Sequence, residues 1–296
     1  MGGFSHGFSK AGYSVHGVDS DPRAGRVYER NDLGTFTEMD LSGEFPDLRP
    51  ALVIGGPPCR PWSVLNLHRR TLKHPDKRLV NRFFQFVSDA KPSCFVMENV
   101  RGVGTDSSYL WWVRRLAGKG YAVDSLVARY SDWGAPTARH RLFTFGFDDP
   151  GDLAEFKEVL LSDKQPSRSV MDVIQNLTHV PSGAYPDHIW PNFRTIDRYS
   201  ENYRTGKFGW YRPDPDSPSP SFGNVTKTYI LHPLAGLDGV PLRVISVREA
   251  MSIMGFPRGF SFPTDLAMRR RYQMVADSVS PVFSSACARA MRRVRL

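Results

Sequence analysis

One cysteine carries the clearest chemical signal in the chain. Cys59 lies in Gly56-Pro57-Pro58-Cys59-Arg60-Pro61-Trp62-Ser63, directly after the apolar run Ala51-Leu52-Val53-Ile54. Proline has no N–H to give a ladder, so two prolines at a strand's end turn the chain out of the sheet and present the thiol in a loop. A thiolate is the strongest common side-chain nucleophile near neutral pH, and Arg60, Arg69 and Arg70 are expected to lower its pKa. Cys94 and Cys287 are lone cysteines without such a setting and read as small buried hydrophobes. Glu98 follows the apolar run Cys94-Phe95-Val96-Met97. A carboxylate there is costly without a partner or a task, the structural alternative being a helix-capping Glu98-Asn99 pair. Arg139 and Arg141 precede the run Leu142–Phe147. One residue apart in extended backbone, they point to one side, which suits a polar substrate carrying carbonyl oxygens; the alternative is a basic turn.

These groups need elements to hold them. Ser14–Val18, ending at Asp19, reads as a strand, as do Ala51–Ile54, Cys94–Met97 and Leu142–Phe147. Between them, Leu79–Ala90 and Tyr109–Leu116 place apolar residues at helical spacing. Strands alternating with helices imply βαβ units and a mostly parallel, doubly wound α/β sheet. Ligands gather beyond the carboxyl ends of such strands, where Asp19, Cys59 and Glu98 all fall. Residues 179–224 are rich in Pro, Gly, Ser and aromatics, and regularity returns at Ser246–Met254 and Ser280–Met291. The expected organisation is a catalytic domain of residues 1–150 plus 266–296, interrupted by a smaller irregular domain of 151–265.

Composition narrows the class. With 296 residues and 41% hydrophobic content, the chain can bury a substantial core and is not intrinsically disordered. Its net charge of +9 favours a polyanionic partner such as nucleic acid. Three widely spaced cysteines exclude a disulfide scaffold and a zinc finger, and fit a reducing cytoplasm. No apolar run approaches the ~18 residues of a membrane helix. The densest basic stretch, residues 60–82 with Arg60, Arg69, Arg70, Lys73, Lys77, Arg78 and Arg82, is expected to be a mobile loop closing on that polyanionic partner; the alternative is a solvated basic face.

In their order along nearly the whole chain, these segments resemble the cytosine-C5 DNA methyltransferase family. Gly2-Gly3-Phe4 is similar to the end of its cofactor loop, Val18-Asp19-Ser20-Asp21 to the acidic segment after its second strand, and Met39-Asp40-Leu41 to the next element. Gly56–Ser63 is similar to the nucleophile loop, Glu98-Asn99-Val100 to the catalytic glutamate, and Pro136–Arg141 to the arginine segment. Val247-Arg248-Glu249, Gly255-Phe256-Pro257 and Asp277-Ser278-Val279 match the late elements. The resemblance implies a Rossmann-like methyltransferase sheet with a smaller target-recognition domain, and methyl transfer from S-adenosylmethionine to C5 of a cytosine flipped out of double-stranded DNA. In that scheme Cys59 adds to C6, Glu98 serves N3, Arg141 holds O2 and Arg139 braces the loop or Glu98. Gly2, Gly3, Phe4, Asp19, Asp40, Pro57 and Ser278 would bind the cofactor, Asp19 at the ribose diol and Asp40 at the adenine amine. Arg60, Ser63, Arg69 and Arg70 would contact DNA, as would aromatic and basic residues of the insertion, among them Phe193, Arg194, Tyr199, Tyr203, Phe208 and Trp210. A monomer in the cytoplasm of a bacterial or phage-derived system is expected, with a companion restriction endonuclease as a further partner and no membrane. RNA cytosine methylation is the alternative substrate reading.

Four departures accompany the resemblance. Arg60 and Thr137 stand where the family has glutamine, and Ala276-Asp277 where it has Gly-Asn. The family's first strand also has no counterpart before Gly2-Gly3. Two explanations are open for that: a start lying upstream, or a degenerate DNA-binding remnant.

Overall fold

The computed structural model describes residues 1–62, 76–192 and 196–294. Strands β1 (His16–Asp19) and β2 (Thr35–Glu38) pair in parallel and are joined by helix α2 (Pro22–Arg30). Asp21 caps that helix by accepting the Arg23 N–H at 3.1 Å, and Pro22 supplies a first position that needs no N–H. A second sheet has the order β3 (Leu52–Gly55), β4 (Cys94–Asn99), β6 (His140–Phe147), β5 (Ala122–Arg129). β3 and β4 run parallel across helix α3 (Lys77–Ala90), whereas β4–β6 and β5–β6 are antiparallel.

The expected α/β arrangement, mixed with parallel core strands, is present, and it departs from a mostly parallel sheet in two respects. Among the described residues no strand joins β1 to β3, so the strands form two sheets. Among the named strands of the described residues, parallel pairing is found in β1–β2 and β3–β4. The antiparallel setting of β5 and β6 comes from connection length: only residues 130–139 link them, fewer than the dozen or more that a parallel crossover requires.

All six residues of β4 are buried, which explains its unbroken apolar reading. Its pleat sends Cys94 and Val96 into one core and Phe95 and Met97 into the other. On the latter face α3 supplies Val80, Phe84 and Val87, and α4 (Ser107–Ala117) supplies Leu116. The opposite face is covered by α1 (Gly3–Lys10), α5 (Pro150–Ser162) and α10 (Pro281–Met291), so the chain's last helix returns to its first. The boundary expected at 150/151 falls at the start of α5, and α5 packs on β5, β6 and α10. Val170, Phe222 and Ile230 share one apolar core with Phe143 and Phe283, so the core is continuous across that boundary.

The short helix α6 (Met171–Ile174) precedes the irregular stretch and α7 (Ser200–Thr205) lies within it; α8 (Val247–Ile253) and α9 (Met268–Ala276) come after it. Ser246 and Glu249 form a reciprocal capping box on α8. Buried charge ties these parts together: Arg243 makes a two-pronged bond to Glu249 at 2.7 and 2.8 Å, and Asp187 accepts from Arg271 at 2.8 Å.

Candidate active site

β3 stops at Gly55, and the Pro57-Pro58 segment leaves the sheet as its sequence requires. Two hydrogen bonds shape the loop beyond it. Asn99, the last residue of β4, donates Nδ2–H to the Pro57 carbonyl at 3.0 Å, and the Trp62 N–H closes a turn on the Cys59 carbonyl at 3.0 Å. Cys59 is thus presented half-buried at the carboxyl end of β3. Burial pushes its thiol pKa up, the Arg141 guanidinium opposes this, and the Glu98 carboxylate adds to the rise. The expectation that Arg60 would lower the thiol's pKa does not hold. Arg60 is largely exposed and sits 3.8 Å from Asp76, while the cations that favour the thiolate are Arg141 and Arg139.

Glu98 is buried at the end of β4, and Arg141, near the start of the adjacent strand β6, reaches it directly: Arg141 Nε lies 2.8 Å from Glu98 Oε1. Both side chains are nearly enclosed, at 13% and 10% exposure. Burial raises the Glu98 pKa and outweighs the opposing pull of Arg141 and Arg139. The glutamate faces the cysteine loop directly, since a Cβ placed on Gly56 would come within 3.0 Å of Glu98 Oε2. The structure thus brings together Cys59, Glu98 and Arg141.

Arg139 is buried and turned elsewhere. It donates to the carbonyls of Ala276 at 2.6 Å and Phe222 at 3.3 Å, and its burial lowers its pKa to about 10. It locks the arginine segment to α9 and to the irregular stretch; beside it, Ala138 N–H and Thr137 Oγ1 both donate to Ser219 O. Asp277 belongs by its sequence to a late family-like element and carries no expected role in the chemistry, yet its carboxylate raises the pKa of both Cys59 and Glu98. Asn99, half of a capping pair by its sequence, is instead the clamp on the cysteine loop.

The cofactor candidates fall into two groups. Asp19 ends β1 with an exposed carboxylate that accepts the Asp21 N–H at 2.9 Å. Asp40 is exposed as well, and the Ser42 N–H and hydroxyl hold its carboxyl below the usual range. Gly2 occupies the left-handed region at φ +82°, and Gly3 packs so closely on the Val279 carbonyl that a side chain there would collide with it. Pro57 is half-exposed in the cysteine loop. Phe4 and Ser278, by contrast, turn inward: Phe4 packs edge-on against Phe8 and Phe143, and the Ser278 hydroxyl donates to the Met274 carbonyl at 2.7 Å.

Of the DNA-contact candidates, Ser63, Arg69, Arg70, Lys73, Phe193 and Arg194 lie outside the described residues. Lys77, Arg78 and Arg82 belong to α3, not to a loop. Arg82 donates to the Leu41 carbonyl at 2.9 Å and to the Gly43 carbonyl, and its guanidinium covers the Phe45 ring at 3.6 Å. It braces the segment after Asp40 and is not turned outward. Tyr199, Tyr203, Trp210 and Tyr229 gather into one aromatic cluster, while Phe208 remains 69% exposed with Lys207 above its ring.

Helix-covered α/β sheets with the reactive groups beyond the strand ends place this protein in the Rossmann-like class of α/β folds. Its fold matches a protein encoded within an Escherichia coli prophage, with a TM-score of 0.75 at 21% identity over 99% of this chain and 96% of that one. It also matches the Entamoeba histolytica methyltransferase EhMeth, with a TM-score of 0.71 at 16% identity over 99% and 95%. The C-5 cytosine-specific DNA methylase family matches residues 1–293, and the chain belongs to that family. It is a DNA (cytosine-5) methyltransferase, and use of S-adenosylmethionine follows from the family. Among curated relatives, the Type II methyltransferase M1.HphI of Haemophilus parahaemolyticus is 27% identical over 99% of this chain and 84% of its own length. The Type II methyltransferase M.DdeI of Desulfomicrobium norvegicum is 24% identical over 97% and 85%.

Proposed function

We propose that the chain methylates a cytosine flipped out of a specific double-stranded DNA sequence, with Cys59 forming a transient bond to C6. The observation that carries this reading is the convergence of Cys59, Glu98 and the arginine bound to it. C5 is a poor nucleophile because attack through it breaks the ring's conjugation. Addition of Cys59 Sγ to C6 makes C5 enamine-like and places charge on N3 and O2. Glu98, whose pKa is raised by burial, can hold a proton at N3. Arg141 supplies guanidinium N–H groups at O2. After methyl transfer, loss of the C5 proton expels Cys59 as the thiolate.

The donor set fits the cofactor. The exposed Asp19 carboxylate beyond β1 suits a ribose diol, Asp40 suits an amine, and the Gly2-Gly3 backbone would lie along the methionine moiety. S-adenosylmethionine, when bound there, supplies the electrophilic methyl group. The insertion, through Arg198, Arg204, Lys207 and the exposed Phe208, would read the DNA. We take the enzyme to act as a monomer, and the names of the Type II relatives support a modification enzyme acting beside a restriction endonuclease.

Duplex DNA carrying 5-fluorocytosine should trap a covalent complex, because fluorine cannot leave as the proton does, and Cys59→Ala should abolish both trapping and methyl transfer. Tritiated-methyl incorporation into duplex DNA but not transfer RNA is expected. Methylation by the Cys59→Ala protein would overturn the mechanism.

A further inference from the structure

Asp106 belongs to none of the segments that resemble the family. It opens α4, eight positions beyond Glu98, and its side chain is only 8% exposed. Its carboxylate accepts three donors from three places. Oδ1 takes the Ser108 N–H at 2.9 Å, which caps α4. Oδ2 takes the Trp62 indole N–H at 3.0 Å and the Lys77 ammonium at 2.8 Å. Lys77 also lies 5.6 Å from the centre of the Trp62 ring, completing a compact triangle. Trp62 closes the Cys59 turn through its own N–H, and Lys77 opens α3. The short 3-10 turn Arg101–Thr105, which carries the chain from Glu98 to Asp106, packs on the same tryptophan: a Cβ on Gly102 would come within 3.0 Å of the Trp62 carbonyl.

We infer that Asp106 is a positioning residue for the nucleophile: one buried carboxylate fixes the Cys59 turn, through Trp62, against the segment that bears Glu98. The inference rests on the proposed covalent role of Cys59. The physical ground is rigidity. Asn99 holds the loop before Cys59 and Trp62 holds it after, so cutting the second tie leaves the thiol anchored on one side only. A reacting atom displaced by about 1 Å can lose on the order of a hundredfold in rate. A neutral amide at position 106 would keep the α4 cap through Oδ1 but set an N–H donor against the indole N–H and the ammonium.

The test compares wild type, Asp106→Asn, Trp62→Phe and the double variant. Each is assayed for the rate of covalent trapping on 5-fluorocytosine duplex, for kcat and KM, and for cofactor affinity by calorimetry. Trapping rate and kcat should fall about 10- to 100-fold in each single variant. DNA KM and cofactor affinity should stay within about twofold, and the double variant should be no worse than the weaker single one because both cut the same tie. A general folding defect would instead lower cofactor affinity along with rate. Trp62→Phe keeps an aromatic ring and loses the N–H, so it decides the matter if Asp106→Asn does not fold. Trapping at the wild-type rate in Trp62→Phe, or fully additive losses in the double variant, would overturn the inference. Failure of the wild-type chain to trap would instead overturn the covalent mechanism on which it rests.

Discussion

Replacing Arg141 with Met should destabilise the protein in a strongly pH-dependent way, and the structure sets the scale. Arg141 Nε and Glu98 Oε1 are 2.8 Å apart with both side chains nearly enclosed. At an effective dielectric near 20 the gross attraction is about 6 kcal/mol, most of it offset by the desolvation of both ions. Removing one partner leaves Glu98 uncompensated, a loss of about 3–5 kcal/mol for a buried pair. Glu98 has an outlet, however, because it can take up a proton. Burial already raises its pKa above the ordinary 4.5, and loss of Arg141, the largest lowering influence, must raise it further. A carboxyl whose folded pKa is raised is tolerated below its unfolded pKa and becomes a liability as pH climbs toward the folded value. The penalty in Arg141→Met should therefore be smallest at the acid end of the range. It should grow by up to about 1.4 kcal/mol per pH unit across the interval between the wild-type and variant Glu98 values. Urea unfolding of both proteins at pH 5, 6, 7 and 8 reads this directly. A penalty of the same size at every pH would refute the reasoning, since it would mean that Glu98 does not titrate in response to Arg141. The double variant Arg141→Met/Glu98→Gln should lose the pH dependence.

Other outcomes stem from the same geometry. Glu98→Gln should lower methyl transfer about 10²–10⁴-fold, as loss of a general acid does, yet speed alkylation of Cys59 at pH 7–8, because the carboxylate that raises the thiol's pKa is gone. Iodoacetamide kinetics with mass mapping would show it. Gly7→Ala should destabilise by about 1–3 kcal/mol although alanine is the better helix former, since the new methyl would strike the Ser284–Ser285 backbone where α1 crosses α10; thermal unfolding measures it. Phe208 is exposed at φ +58°, ψ 18°, so Phe208→Gly should raise stability by about 0.5–1 kcal/mol through relief of the left-handed backbone. A loss of stability would show that the ring has packing partners.

Much of the local order is legible from residue types. Helices at Lys77–Ala90, Ser107–Ala117 and Pro281–Met291 and strands at Leu52–Gly55, Cys94–Asn99 and His140–Phe147 lie within a few residues of their sequence readings. Each has a strong period or an unbroken apolar run. β2 and β5 are not legible in this way, because Thr35–Glu38 is short and Ala122–Arg129 mixes polar residues into its half-buried pattern, so neither shows a clean period. The antiparallel setting of β6 is hidden because strand signals say nothing of direction; the short 130–139 connection holds that information.

The functional residues divide in the same way. Chemistry-bearing types at strand ends, Cys59 after a Pro-Pro pair and Glu98 after an apolar strand, are properties of the chain itself, because strand termination and side-chain reactivity are local. Electrostatic settings are not local. Only the packed structure decides that Arg141 and not Arg60 is the cation that matters to Cys59, and that Arg139 spends its donors on Phe222 and Ala276. It decides too that Asp106 joins Trp62 to Lys77. Each of those facts depends on groups distant in sequence meeting where water is scarce, and there burial and partner distance, not residue type, set both charge and role.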